Sequence, residues 1–187
     1  LILSCSGDSS DISTIDQPAA VDQGSEWDVS EGLINGSGRP FPLALDPVLY
    51  PAHSVDFLPD ESLVAVVNIE NETRVYPYVY IEHFESINDR IGDVNYSMTY
   101  CPITQSGMLI NREHKQTEFI LRASGFLLYD NVILLDETSQ TFISQMLKRS
   151  IRGSFIGDYV STFNFIEMNW KTVKENFPNS LVFTNSS

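Results

Sequence analysis

Basic residues are scarce in this chain: 11 Lys and Arg stand against 25 Asp and Glu, giving a formal net charge of −14 over 187 residues. A surface of that sign repels phosphate backbones, which argues against nucleic acid as a partner. Cysteine is nearly missing. Cys5 and Cys101 are the only two, too few for a disulfide framework. No stretch approaches the ~18–20 apolar residues of a membrane span. Histidine is limited to His53, His83 and His114, with no ligand spacing among themselves. There is no Walker sequence, no dinucleotide fingerprint and no G-x-S-x-G. A C-x-x-C dithiol is also lacking, because Thr104 fills the fourth position of a motif that would start at Cys101. Nucleotide-cradling loops, serine nucleophiles in a hydrolase setting and an internal dithiol cycle are therefore not readings this chain supports.

Apolar residues make up 42% and aromatics 11%, so most of the chain is expected to fold. The beginning differs from the rest. Leu1-Ile2-Leu3-Ser4-Cys5 reads as the end of a bacterial lipoprotein signal, with Cys5 receiving lipid, and Ser6-Gly7-Asp8-Ser9-Ser10-Asp11 follows without apolar period. Residues 1–5 are thus assigned to the signal, 6–40 to a disordered acidic tether, and 41–187 to one folded domain. The expected setting is extracytoplasmic, in the periplasm or on the outer membrane, with the lipid as membrane anchor.

Strand signals are dense from Leu63 onward. Leu63–Ile69 is a short β-branched run that suits a strand buried on both faces. Glu70-Asn71 turns it into Thr73–Tyr76. Val94, Tyr96, Met98 and Tyr100 alternate with Asn95, Ser97 and Thr99, the period of a half-buried strand. Met108–Ile110 and Thr117–Arg122 flank a polar turn, and Val132–Leu135, Thr141–Ser144, Ile151–Phe155 and Leu181–Thr184 add four short strands. Tyr80, Ile81, Phe84 and Ile87 recur at helical spacing after Pro77, and Asn169 is placed to cap a helix carrying Trp170, Val173 and Phe177. About eight strands and two short helices predict a mainly β (α+β) domain, barrel-like or sandwiched.

Several of these residues together resemble a known family. Tyr76-Pro77, Glu85, Asn88-Asp89, Thr99-Tyr100-Cys101-Pro102, Ser124-Gly125, Asp136, Ser144-Gln145, Arg152-Gly153 and Gly157 occur in the order and spacing of the domain of unknown function 3179 (DUF3179). Leu43–Pro47 and Trp170 extend the match to about residues 43–184. The resemblance implies an exported or membrane-associated prokaryotic protein and no established activity. Three positions depart from the family pattern: Phe84 stands where a His belongs, with His83 one residue early; Thr104 replaces a second cysteine; Ile143 replaces an aromatic.

Chemistry, on this reading, centres on Cys101, an unpaired thiol where an alternating strand meets Pro102. It suits a reactive thiolate, a ligand for a soft ion such as copper or zinc (with His83 as co-ligand), or a small buried hydrophobe. Glu85 and Asp89, four residues apart, are candidate paired carboxylates for acid–base work beside it. Turn chemistry is the plainer reading of Asn88-Asp89. Asn88, Tyr100, Ser124, Gly125, Ser144 and Gln145 are candidate ligand-pocket groups, whose hydroxyls and amides equally suit buried backbone. Two functions follow: a binding lipoprotein engaging a small molecule, metal or envelope protein, or a thiol-dependent enzyme or redox protein using Cys101 with Glu85 and Asp89.

Overall fold

A computed structural model describes residues 26–184. Cys5 and the segment 6–25 lie outside the described residues. Among the described residues, seventeen strands and two α-helices follow one another. The first seven strands are β1 (Ile34–Gly36), β2 (Ala44–Leu45), β3 (Leu49–Pro51), β4 (Leu63–Ile69), β5 (Glu72–Pro77), β6 (Ser86–Ile91) and β7 (Val94–Cys101), with α1 (Tyr78–Ile81) between β5 and β6. Next come β8 (Ser106–Asn111), β9 (Glu113–His114), β10 (Thr117–Glu118), β11 (Leu121–Leu128), β12 (Asn131–Asp136), β13 (Thr141–Ser144) and β14 (Arg149–Arg152). The chain ends with β15 (Thr162–Phe163), β16 (Ile166–Asn169), α2 (Trp170–Asn176) and β17 (Leu181–Phe183).

Three five-stranded sheets and one two-stranded ribbon result. The central sheet has the order β15-β8-β7-β6-β2, the outer sheet β1-β11-β12-β13-β14, and the helix-side sheet β16-β4-β5-β17-β3. Packing stacks them as a sandwich, and no sheet closes into a barrel. Ile87, Tyr96, Met98 and Leu109 of the central sheet meet Ala65, Val67 and Tyr76 of the helix-side sheet. On the opposite face, Cys101 and Ile110 meet Leu121, Ala123, Val132, Leu134 and Ile143 of the outer sheet. The far side of the helix-side sheet is covered by Trp170 and Val173 of α2. The far side of the outer sheet is covered by Trp27, Val29, Leu33 and Ile34.

This stack explains why β7 departs from the half-buried expectation. Ser97 and Thr99 are buried, because the central sheet has a neighbour on each face. Their hydroxyls are satisfied internally, Ser97 Oγ lying 2.9 Å from Ser86 Oγ and Thr99 Oγ1 donating to Met108 O at 2.9 Å. The helix expected through Ile87 is shorter than its spacing suggested. Glu85 takes a left-handed φ of 57° while its N–H donates to Ile81 O, which ends the turn; Ser86–Ile91 then pairs antiparallel with β7. The second helix forms as expected, with the Asn169 side chain accepting from Thr172 N at 2.9 Å. Residues 26–39, assigned above to a disordered tether, form a strap: β1 pairs antiparallel with β11, and Trp27 stands edge-on to Phe126 and Phe142.

Candidate functional site

Side chains alternate along β6 and β7, so register decides what meets what. Thr99 pairs with Ser86 and Asp89 with Tyr96. Cys101 therefore shares the Thr99 face and points to the outer sheet, whereas Asp89 points to the helix-side sheet. Cys101 is 1% exposed, packs in the aliphatic layer, and its Sγ–H lies 3.5 Å from Asp130 O. Tyr100 points the other way and stacks on Tyr78 at 4.2 Å. Asp89 accepts from Tyr76 Oη at 2.6 Å and pairs with Arg74. Burial works against the charge of Arg74, but its hydrogen bonds to Asp89 and Glu72 outweigh that and hold it cationic. Burial, reinforced by Tyr96 and Asp89, pushes the Tyr76 hydroxyl well up, so Tyr76 stays a neutral donor.

The thiol and the Asp89 carboxylate thus lie on opposite faces of the central sheet. Glu85 precedes β6, and no hydrogen bond links its carboxyl to Cys101 or Asp89. Its own backbone oxygen accepts from Tyr100 N at 3.0 Å. Burial raises its carboxyl to about 7. His83 is exposed in the turn after α1, while Cys101 is sealed. Among the described residues, no group of three or more His, Cys, Asp and Glu is placed to hold a metal ion.

The other predicted pocket groups stitch the sheets together. Gln145 is fully buried; its Nε2 donates to Thr99 Oγ1 at 2.9 Å and its Oε1 accepts from Asn131 Nδ2 at 2.8 Å. Ser124 Oγ donates to Ile133 O at 2.6 Å across the β11–β12 bulge that Gly125 permits. Ser144 Oγ accepts from Leu147 N in the β13–β14 turn. Asn88 bridges two sheets: its Nδ2 donates to Ala44 O at 2.8 Å and Leu121 O at 2.6 Å, and its Oδ1 accepts from Leu121 N at 2.8 Å.

That last bridge leads to a cleft at the opposite end of β7 from Cys101, roughly 20 Å away by strand length. The cleft measures about 420 Å³, within the range of small-molecule sites. Its walls are Leu45, Asp46, Arg90 and Asn95 on one side and Glu118 and Ile120 on the other, with Arg112 as floor. Arg112 N donates to Asn95 O at 3.1 Å, continuing the β7–β8 register beyond the strand. The side chain of Arg112 follows the inward parity of Ile110 and is 2% exposed. Its Nε donates to Phe119 O at 2.7 Å, one Nη1–H reaches Asp89 O at 3.5 Å, and Nη2 pairs with Glu118. A guanidinium has five N–H donors, and three of them meet an acceptor among the described residues. Burial lowers the pKa of Arg112 from its usual value, partly offset by Glu118 and Asp46.

Three residues of the motif frame this cleft. Asn88 fixes Ala44 and Leu121, the chain neighbours of the wall residues Leu45 and Ile120. The carbonyl of Asp89 faces Arg112, and Asp136 Oδ1 accepts from Ile120 N at 2.7 Å. Leu45 and Asp46 fall within Leu43–Pro47, which carries part of the family resemblance, but none of the cleft lining is among the site residues expected from sequence. The signal for Arg112 was legible, however: it stands at even spacing from Met108 and Ile110, so an inward-pointing arginine was implied.

Fold and cleft define a three-layered β sandwich with a polar, arginine-floored cleft at one end of its central sheet. The chain belongs to the family described as protein of unknown function (DUF3179), whose model matches residues 40–187. Comparison with curated proteins and with solved structures gives no match.

Proposed function

We propose that this chain is a lipid-anchored, extracytoplasmic binding protein that holds a small molecule in the Arg112 cleft. One observation carries the binding reading: an arginine almost wholly removed from water lines a cavity while only three of its five N–H donors are bonded among the described residues. Buried donors left without acceptors cost stability, and a ligand oxygen would relieve that cost. The anchored location rests on Leu1–Cys5 and the acidic segment after it. Non-catalytic binding is favoured over thiol chemistry because Cys101 is packed in an aliphatic layer, on the opposite face of the central sheet from Asp89.

Native mass spectrometry of the full chain purified from its host tests the reading, with Asn95→Trp as the comparison. Asn95 makes one exposed side-chain hydrogen bond, to Glu113, so an indole there fills the cleft without unpairing buried groups. The wild-type chain is expected to carry a small-molecule adduct that N95W lacks at an unchanged unfolding midpoint. No adduct on either chain, or the same adduct on both, rejects the cleft as a binding site.

A further inference from the structure

Of the four charges around the cleft, only two are joined directly to each other. Glu118 is committed to Arg112. Across from them, the Arg90 guanidinium and the Asp46 carboxylate line the same cleft, and neither makes a hydrogen bond or an ion pair among the described residues. The cleft therefore offers positive charge from Arg90 and Arg112 beside the Asp46 carboxylate, which acts on Arg112 through space without a direct ion pair. In a chain of net charge −14, this local balance of two arginines against Asp46 and Glu118 stands apart. A simple dianion would meet repulsion from the acids. A simple cation would meet it from the arginines. Leu45 and Ile120 supply apolar contact between the two.

We infer, on the reading above that the cleft binds a small molecule, that its ligand is a zwitterion of the α-amino-acid type with an aliphatic side chain. The carboxylate sits on Arg90 and Arg112, where planar N–H pairs suit two oxygens. The ammonium sits by Asp46, and the side chain lies against Leu45 and Ile120. Specificity follows from the wrong ligands as much as the right one, since removal of either ligand charge leaves a like-charge contact or an unpaired protein group.

Calorimetric titration of the full chain with L-leucine, N-acetyl-L-leucine and L-leucinamide tests this. L-leucine is expected to bind at least about tenfold more tightly than either derivative, one charge of the pair being worth that much. Asp46→Asn, at an exposed position whose φ of 49° asparagine tolerates, is expected to weaken L-leucine about tenfold and leave N-acetyl-L-leucine unchanged. Equal binding of L-leucine and N-acetyl-L-leucine would make this a carboxylate site and overturn the inference. Equal binding of L-leucinamide would overturn it from the other side. If no probe binds while the wild-type chain still carries an adduct that N95W lacks, the zwitterion inference fails and the binding reading stands. If no probe binds and no adduct is seen, both fail.

Discussion

Glu85 shows how a single side chain can oppose the fold that holds it. It is 8% exposed, and its carboxyl makes no hydrogen bond or ion pair among the described residues. Burial alone raises it from an ordinary 4.5 to about 7. The sign of the pH effect follows. Between those two values the folded chain keeps a proton that the unfolded chain has released, so stability falls as pH rises through the window. Below 4.5 the residue costs nothing through ionisation; above about 7 the full cost is present. Glu85→Gln keeps the shape and removes the charge. Urea unfolding is expected to show no gain for the variant at pH 4 and ~1–2 kcal/mol at pH 8, after allowance for partial solvent screening. An equal effect at both pH values would mean that the carboxylate is solvated. Arg112 is the contrasting case: its charge is retained in the interior because Phe119 O, Asp89 O and Glu118 receive it.

Among the elements, the strands with short β-branched runs were readable, because a strand's identity is set locally. Leu63–Ile69 and Thr141–Ser144 form with the bounds their sequence implies. Ser86–Ile91 was not readable as a strand, since Phe84 and Ile87 continue the helical spacing of Tyr80 and Ile81 by coincidence. Only pairing with β7, a non-local contact, decides it. The site was hidden for a similar reason. Its lining comes from five separated segments, while Asn88, Asp89 and Asp136 hold that lining from behind. β11 gives a second instance. Ser124-Gly125, candidate pocket groups on sequence, lie inside one bulged strand that runs through them. Gly125 has φ 77°, and a Cβ there would stand 2.2 Å from Arg39 O. Backbone cannot yield as a flexible side chain can. Gly125→Ala is therefore expected to destabilise the domain by at least ~2 kcal/mol, measured by chemical denaturation. A change within experimental error would show that the strap carrying Arg39 moves aside freely.

At the scale of the whole molecule, composition and packing place the start of the domain at different residues. Low apolar content before residue 40 argues for a boundary near 41, and the family match begins at residue 40. The packing argues for an earlier boundary. Trp27 lies 5.6 Å from the Phe126 ring and 5.1 Å from that of Phe142, with the Arg152 guanidinium 5.1 Å from its own ring. Asp28 N donates to Ile151 O at 2.7 Å, and Asp28 also pairs with Arg149 at 3.0 Å. Without this strap, β11 becomes an open edge and Ile133, Leu135 and Phe142 lose their cover, the arrangement that invites association between chains. A few large side chains suffice for this because a sheet already in place supplies the other half of the contact. A chain starting at residue 41 is expected to be less stable than one starting at residue 26 by roughly 3 kcal/mol, the apolar burial of Trp27, Val29, Leu33 and Ile34 less the ordering entropy of the strap. Urea unfolding of the two chains measures that difference, and dye binding reports the bared sheet face. Equal midpoints and equal dye binding would return residues 26–39 to the tether that their composition suggests.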